Sequence, residues 1–331
     1  MPRLYFVTNR NPNRVKNPDS FGGKFNPESV DNLRFGTADI RADAGGVALE
    51  GIHVAAERLK EDHRKSTLGS RAVFEELKEK MRDGIDTLVF IHGYNVSFEN
   101  ALLTGGRIAK AYGVVRPINV VVFSWPSDGK MTPFLAYKRD RTDAAASGPA
   151  LARGLLKLQD FLREVRRGNE CGAQIHLMAH SMGNYVLRHG VQEVRRHASG
   201  GAGKIFDNIF LMAADEDHDA FEYDYKLAPL PELGRGVSVY FNRHDTALVI
   251  SDRTKSNPTR LGSEGPRLPL NVPGNVTLVD VSEVVSGLVE HSYFWENEKT
   301  IADVLATISG GSLDERPGRR YVTSQNRYVL M

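Results

Sequence analysis

Residues Ile175–Leu187 read IHLMAHSMGNYVL, and this stretch decides the fold. Ile175 and Leu177, with the apolar residues around them, make a short buried strand, and from Met182 onward apolar residues recur at helical spacing. Ser181 therefore falls at a strand-to-helix reversal. A tight turn there crowds the backbone and pushes the serine hydroxyl out beyond the strand end, which calls for small residues on both sides. Ala179 and Gly183 supply them. The pattern A-H-S-M-G is a one-residue variant of G-x-S-x-G, a turn that presents a nucleophilic serine when a strand precedes it and a helix follows. A capping or simply buried serine is the plain alternative.

Outward from this turn the chain alternates strand and helix. Upstream, Thr87–Ile91 (TLVFI) and Ile118–Phe123 (INVVVF) are continuously apolar, as a parallel sheet buried on both faces requires. Helices are expected from Ser70 to a stop at Gly84, from Phe98 to Tyr112, and from Ala144 to Arg167, the last broken in character at Gly148-Pro149. Downstream, Met182–His197 reads as a helix, Ile205–Ala213, Gly236–Phe241 and Val276–Val281 as strands, and Ile301–Ile308 as part of a final helix. Repeated strand and crossover-helix units point to an α/β fold, a mostly parallel central sheet with helices on both faces. Residues 66–310 are expected to form the catalytic domain. Residues 1–65, with strand candidates at Leu4–Thr8 and Leu33–Ile40, are expected as an amino-terminal extension on the core, and 311–331 as a carboxyl-terminal tail. Two long connections, Glu216–Arg235 and Ser251–Gly274, break the rhythm and are expected over the carboxyl strand ends as binding loops or surface excursions.

At 331 residues the chain is long enough for a large core. With 43 Lys plus Arg against 41 Asp plus Glu, the net charge of +2 offers no footprint for nucleic acid or an anionic membrane. Cys171 is the only cysteine, which excludes an intrachain disulfide and a thiolate metal cage. There is no signal-type apolar region at the start and no apolar run long enough to span a bilayer, so a cytoplasmic protein without stable membrane insertion is expected. No cofactor or metal is expected. DEDHD (215–219) has hard or borderline ligand types but no defined ligand spacing.

A serine hydroxyl needs a base to remove its proton and a third group to orient that base. Asp245 follows the strand VSVYF and His291 follows VTLVDV and a polar stretch, so Ser181, Asp245 and His291 form an ordered trio beyond strand ends, where open α/β sheets keep their sites. His218 and His244 are rivals for the base, and a packed aromatic-cluster histidine is the bland reading of His291 beside Tyr293 and Trp295. Asp215 and Asp217 are rivals for the acid. Main-chain N–H groups stabilise the oxyanion of such a reaction without reorganising. Met182 is placed to give one and Tyr94, in the loop HGYN after TLVFI, the other.

The segments FIHGYNVSFENAL, VVFSWPSDG, IHLMAHSMGNYVL, NIFLMAADEDHDAF, VYFNRHDTAL and HSYF, in this order, resemble an uncharacterised bacterial esterase- or lipase-like branch of the α/β-hydrolase superfamily. The resemblance implies the α/β-hydrolase fold, Ser181 as nucleophile, Asp245 as acid, His291 as base, and the main chains of Tyr94 and Met182 as oxyanion donors. Ala179 departs from the superfamily's usual glycine while keeping the residue small. The expected function is hydrolysis of a small-molecule carboxylic ester of small or medium acyl group through an acyl-enzyme. An amidase, thioesterase or lactonase would use the same trio, and a non-enzymatic binding protein would keep the fold alone.

Overall fold

The computed structural model describes residues 3–14, 17–28, 33–55, 69–127, 133–167, 172–197, 203–248, 259–285, 291–311, 316 and 318–331. Cys171 and residues 251–258 of the second long connection lie outside them. The architecture is α/β, a mixed, mostly parallel sheet flanked by helices, as in α/β hydrolases. The chain divides into two compact units, Met1–Ile175 and His176–Met331.

In the first unit the strands are β1 (Arg3–Thr8), β2 (Arg34–Asp43), β3 (Gly46–Val54), β4 (Asp86–Ile91) and β5 (Ile118–Ser124). Their order is β4-β5-β1-β2-β3, with β4·β5 and β5·β1 parallel and the β1-β2-β3 meander antiparallel. The apolar runs of β4 and β5 are buried almost throughout, which is why they carry no polar alternation. Helix α1 (Gly69–Arg82) buries Val73, Phe74, Leu77 and Met81, a stripe of residues three or four apart on one helix face. Helix α2 (Phe98–Gly113) is capped by Ser97, whose hydroxyl accepts the Asn100 N–H. It lies so close to the sheet that a Cβ on Gly105 would stand 2.6 Å from Val122 Cγ2. The single broken helix expected at Ala144–Arg167 is two helices, α3 (Pro133–Ala146) and α4 (Gly148–Arg167). Pro149 sits in the first turn of α4, where its missing N–H costs no hydrogen bond.

The second unit carries β6 (Ile175–His180), β7 (Phe206–Met212), β8 (Gly234–Phe241), β9 (Val276–Asp280), β10 (Arg319–Val322) and β11 (Arg327–Leu330). The order β6-β7-β8-β9-β11-β10 is parallel except for the terminal hairpin β10·β11. Helix α5 (Gly183–His197) follows β6, and α6 (Leu261–Glu264), α7 (Tyr293–Glu296) and α8 (Glu298–Ile308) lie later in the chain. The last residues thus form sheet, turning at Asn326 in the left-handed region (φ 45). Arg319 fastens the hairpin to α8 through two bonds to Asp303, 2.5 and 2.6 Å, and Tyr240 donates to the same carboxylate at 2.6 Å.

Candidate active site

Because β6, β7, β8 and β9 run parallel, their carboxyl ends share one edge of the second unit, and the segments that follow β6, β8 and β9 carry the trio. Ser181 follows β6 with φ +52, the left-handed region that a serine rarely occupies. Such a backbone persists only where its surroundings over-determine it. Here the Ser181 N–H donates to Met212 O at 3.0 Å, and Ser181 O accepts from Asp215 N at 3.1 Å and Asn184 Nδ2 at 3.0 Å. Asn184 Nδ2 also reaches Ala179 O at 3.0 Å, tying both sides of the turn to the first turn of α5. Ala179 is fully buried and Ser181 is 7% exposed, so the small-residue requirement is steric. Met182, buried at the start of α5, follows the serine at a helix end whose first N–H groups lack intrahelical acceptors.

Asp245 lies in the turn after β8. Its Oδ1 accepts the N–H groups of Ala247 (3.1 Å) and Leu248 (3.3 Å), leaving Oδ2 for His291 Nδ1 at 2.6 Å. The carboxylate is completely buried, whereas the imidazole is 19% exposed. Since the carboxylate only accepts, Nδ1 carries the hydrogen of this bond. The His291 segment is held by Tyr293, whose O–H donates to Tyr240 O at 2.9 Å and whose oxygen accepts Ala213 N–H at 2.8 Å. Burial, reinforced by the negative Asp245, drives the Tyr293 phenol well above its ordinary pKa, so the proton needed for this bond stays in place. His180, the residue before Ser181, puts Nε2 3.0 Å from His291 O and its ring 4.6 Å from the His291 ring. His291 is thereby brought against the elbow.

The rival acids serve a different end. Asp217 Oδ1 meets the fully buried Arg260 at 2.6 Å and its Oδ2 meets Lys226 at 3.0 Å, while Asp215 lies 3.3 Å from Arg260 Nε. Lys226 also binds Asp219. These pairs join residues 215–226 to 259–267, together with main-chain bonds from His218 N to Thr259 O (3.0 Å) and from Arg267 N to His218 O (2.8 Å). The described parts of the two long connections are thus stitched into one layer. Leu227 and Leu230 are fully buried, and Tyr225 is 60% exposed. The first connection thus places both leucines in the core. His244 is exposed, and it is His291 that meets Asp245. Among the described residues no group of three or more His, Cys, Asp or Glu is arranged to hold a metal ion.

Tyr94 belongs to the first unit, in the loop after β4, with its ring 5.6 Å from that of Tyr137. The loop is held from beneath. His92, buried and stacked on Trp125 (5.2 Å, 8°), has Nδ1 2.8 Å from Gly93 O and accepts Trp125 N–H on Nε2 at 3.2 Å. Arg10, also buried, donates to Val96 O at 2.6 Å and Ser124 Oγ at 2.9 Å. Burial, with the Arg10 charge second, holds the His92 imidazole down to about 3. Asn95 adopts φ +57 and donates its N–H to Asp140 at 3.2 Å.

Sequence reasoning missed the parts of His180, Tyr293 and Asn184 around the trio, and that of Arg10 beside the loop after β4. An asparagine three residues past an elbow serine and a tyrosine two past the histidine were the available signals; nothing local marks Arg10.

The model of the family described as "Alpha/beta hydrolase of unknown function (DUF900)" matches residues 69–307. The "Uncharacterized protein alr1448" of Nostoc sp. is 26% identical over 215 residues, 50% of this chain and 53% of that protein, so the match spans about half of its length. Among solved structures, a Pyrobaculum calidifontis esterase is 12% identical with a TM-score of 0.40, covering 91% of this chain and 86% of its own. The Pyrococcus furiosus esterase Pf2001 is 11% identical with a TM-score of 0.39, covering 89% and 99%. At these scores neither likeness carries an argument. Among the described residues no helix is long and apolar enough to cross a membrane.

Proposed function

The chain belongs to this family of α/β hydrolases of unknown function, and from that premise we propose that it is a serine hydrolase cleaving a carboxylic ester through an acyl-enzyme. The observation that carries the reading is Ser181 in the left-handed region between β6 and α5, with the Asp245–His291 pair in the same unit at 2.6 Å. In this reading His291 Nε2 takes the Ser181 proton as Oγ adds to the ester carbonyl. Asp245 stabilises the imidazolium through Nδ1–H, and the Met182 N–H faces the developing oxyanion. Collapse of the tetrahedral intermediate breaks the ester C–O bond, and His291 returns the proton to the leaving alkoxide. Water, deprotonated by His291, then adds to the acyl-enzyme and releases the acid and Ser181.

The test is covalent. A fluorophosphonate should phosphonylate Ser181, located by peptide mass spectrometry, and Ser181→Ala should abolish labelling and hydrolysis together. Labelling elsewhere in an active sample with Ser181 unmodified refutes the assignment. Nitrophenyl esters from acetate to palmitate then define the acyl group. Activity concentrated on the shorter chains is expected, and a steep preference for palmitate at a lipid interface overturns the size proposal. Turnover of amides, thioesters or lactones in place of esters would keep the nucleophile and change the substrate.

A further inference from the structure

We infer that His180, for which the mechanism above has no part, is a positioning residue for the base: it holds the His291 main chain at the elbow. The inference rests on the reading of Ser181 and His291 as nucleophile and base. His180 is the last residue of β6, registered against Met212 of β7, so its side chain springs from the sheet and not from a loop. Its Nε2 is 3.0 Å from His291 O. A carbonyl oxygen only accepts, so Nε2 carries the hydrogen and donates. The ring is flanked by Phe294 (centroids 4.6 Å, 39°) and His291 (4.6 Å, 55°), which limits it to this orientation.

The bond does work that the rest of the site leaves undone. Asp245 fixes which nitrogen of His291 holds the hydrogen and how the ring is turned, but it grips the ring alone. Tyr293 pins the chain two residues later, through Tyr240 O and Ala213 N. His180 holds the His291 backbone itself, from the residue adjoining the nucleophile. Base and nucleophile are thus referred to one rigid strand end. Proton transfer falls steeply when reacting groups drift by about 1 Å, so loss of this tie should slow chemistry while leaving ligand binding alone.

The experiment measures the rate at which a fluorophosphonate labels Ser181 in the full chain, resolved into inactivation rate constant and apparent binding constant, over a pH series. His180→Phe keeps a ring against Phe294 and removes the donor, and His180→Gln returns an N–H at similar reach. The Phe variant should lose about tenfold or more in the rate constant with the binding constant unchanged, and the Gln variant should recover to within about threefold of wild type. If the Phe variant does not fold, His180→Asn, too short to reach, replaces it in the comparison with Gln. Wild-type labelling by the donorless variant, or equal loss in the Gln variant and the donorless one, overturns the inference. His291→Ala separates the two claims. Undiminished labelling there refutes the base itself, whereas slow labelling there with wild-type labelling in His180→Phe refutes only the positioning role.

Discussion

His92 should make the protein acid-sensitive well above the pH at which carboxylates titrate. The imidazole is buried as the neutral ring, with Nδ1–H donated to Gly93 O and Nε2 accepting from Trp125 N–H, and Arg10 Nη2 stands 3.4 Å from Nε2. A second proton would have to go on Nε2, against that N–H and beside the guanidinium. Burial first, and the Arg10 charge second, lower the folded-state pKa from 6.5 to about 3. Between these values the unfolded chain binds the proton and the folded chain does not. The contribution of His92 is therefore fully present above roughly pH 6.5 and is lost as the pH falls toward 3. At about 1.4 kcal/mol per pH unit, the loss reaches about 2 kcal/mol at pH 5 and about 4 kcal/mol at pH 3. Set against a typical stability of about 5–15 kcal/mol, the loss at pH 5 is a substantial share. The assay is urea unfolding at a series of pH values for wild type and His92→Gln. Absolute stability will differ, because the variant loses packing on Trp125, but the comparison is between slopes, and the carboxylates common to both cancel. Wild type should show the steeper fall between pH 6.5 and 5, by about 1.4 kcal/mol per unit. Parallel curves over that interval would refute the buried neutral imidazole.

Asp245→Asn should lower the rate constant for hydrolysis by about 10³–10⁴-fold with little change in KM, because the amide no longer selects the Nδ1–H form of His291; retention of most of the activity would move the acid elsewhere. Asp217→Asn should do the reverse, costing about 3 kcal/mol in urea unfolding by depriving Arg260 and Lys226 of a buried partner while the folded protein keeps its turnover. Gly154→Ala should stabilise by up to about 1 kcal/mol, since the new methyl meets only Val7 Cγ1, at 4.0 Å, beside an apolar cavity of about 30 Å³ lined in part by Phe74, Leu77 and Leu158. A drop in stability in that variant would mean that the helix cannot accept a side chain there.

What the sequence by itself determined was whatever depends on neighbours in the chain. The apolar runs of β4 and β5 can be read as buried parallel strands because both faces of each are covered, and the helical stripes of α1 and α5 follow from 3.6-residue spacing. The elbow is legible for the same reason: a tight reversal needs small residues at fixed offsets, and Ala179 and Gly183 flank Ser181 within five residues. Strand β2 is legible as the candidate Leu33–Ile40, whereas β3 escapes this reading because GVALEGIHV alternates too weakly to declare itself a strand. Only the tertiary structure fixes what each candidate acid is paired with. Asp215, Asp217 and Asp245 all follow sheet strands, but Arg260 and Lys226 occupy Asp217, while a contact across 46 residues joins Asp245 to His291. The left-handed backbone of Ser181, the Tyr293 pin and the bond from His180 to His291 O likewise arise from chain segments that meet only after the sheet has assembled. Their partners are main-chain atoms, and every residue presents the same carbonyl and N–H, so no side-chain pattern records them.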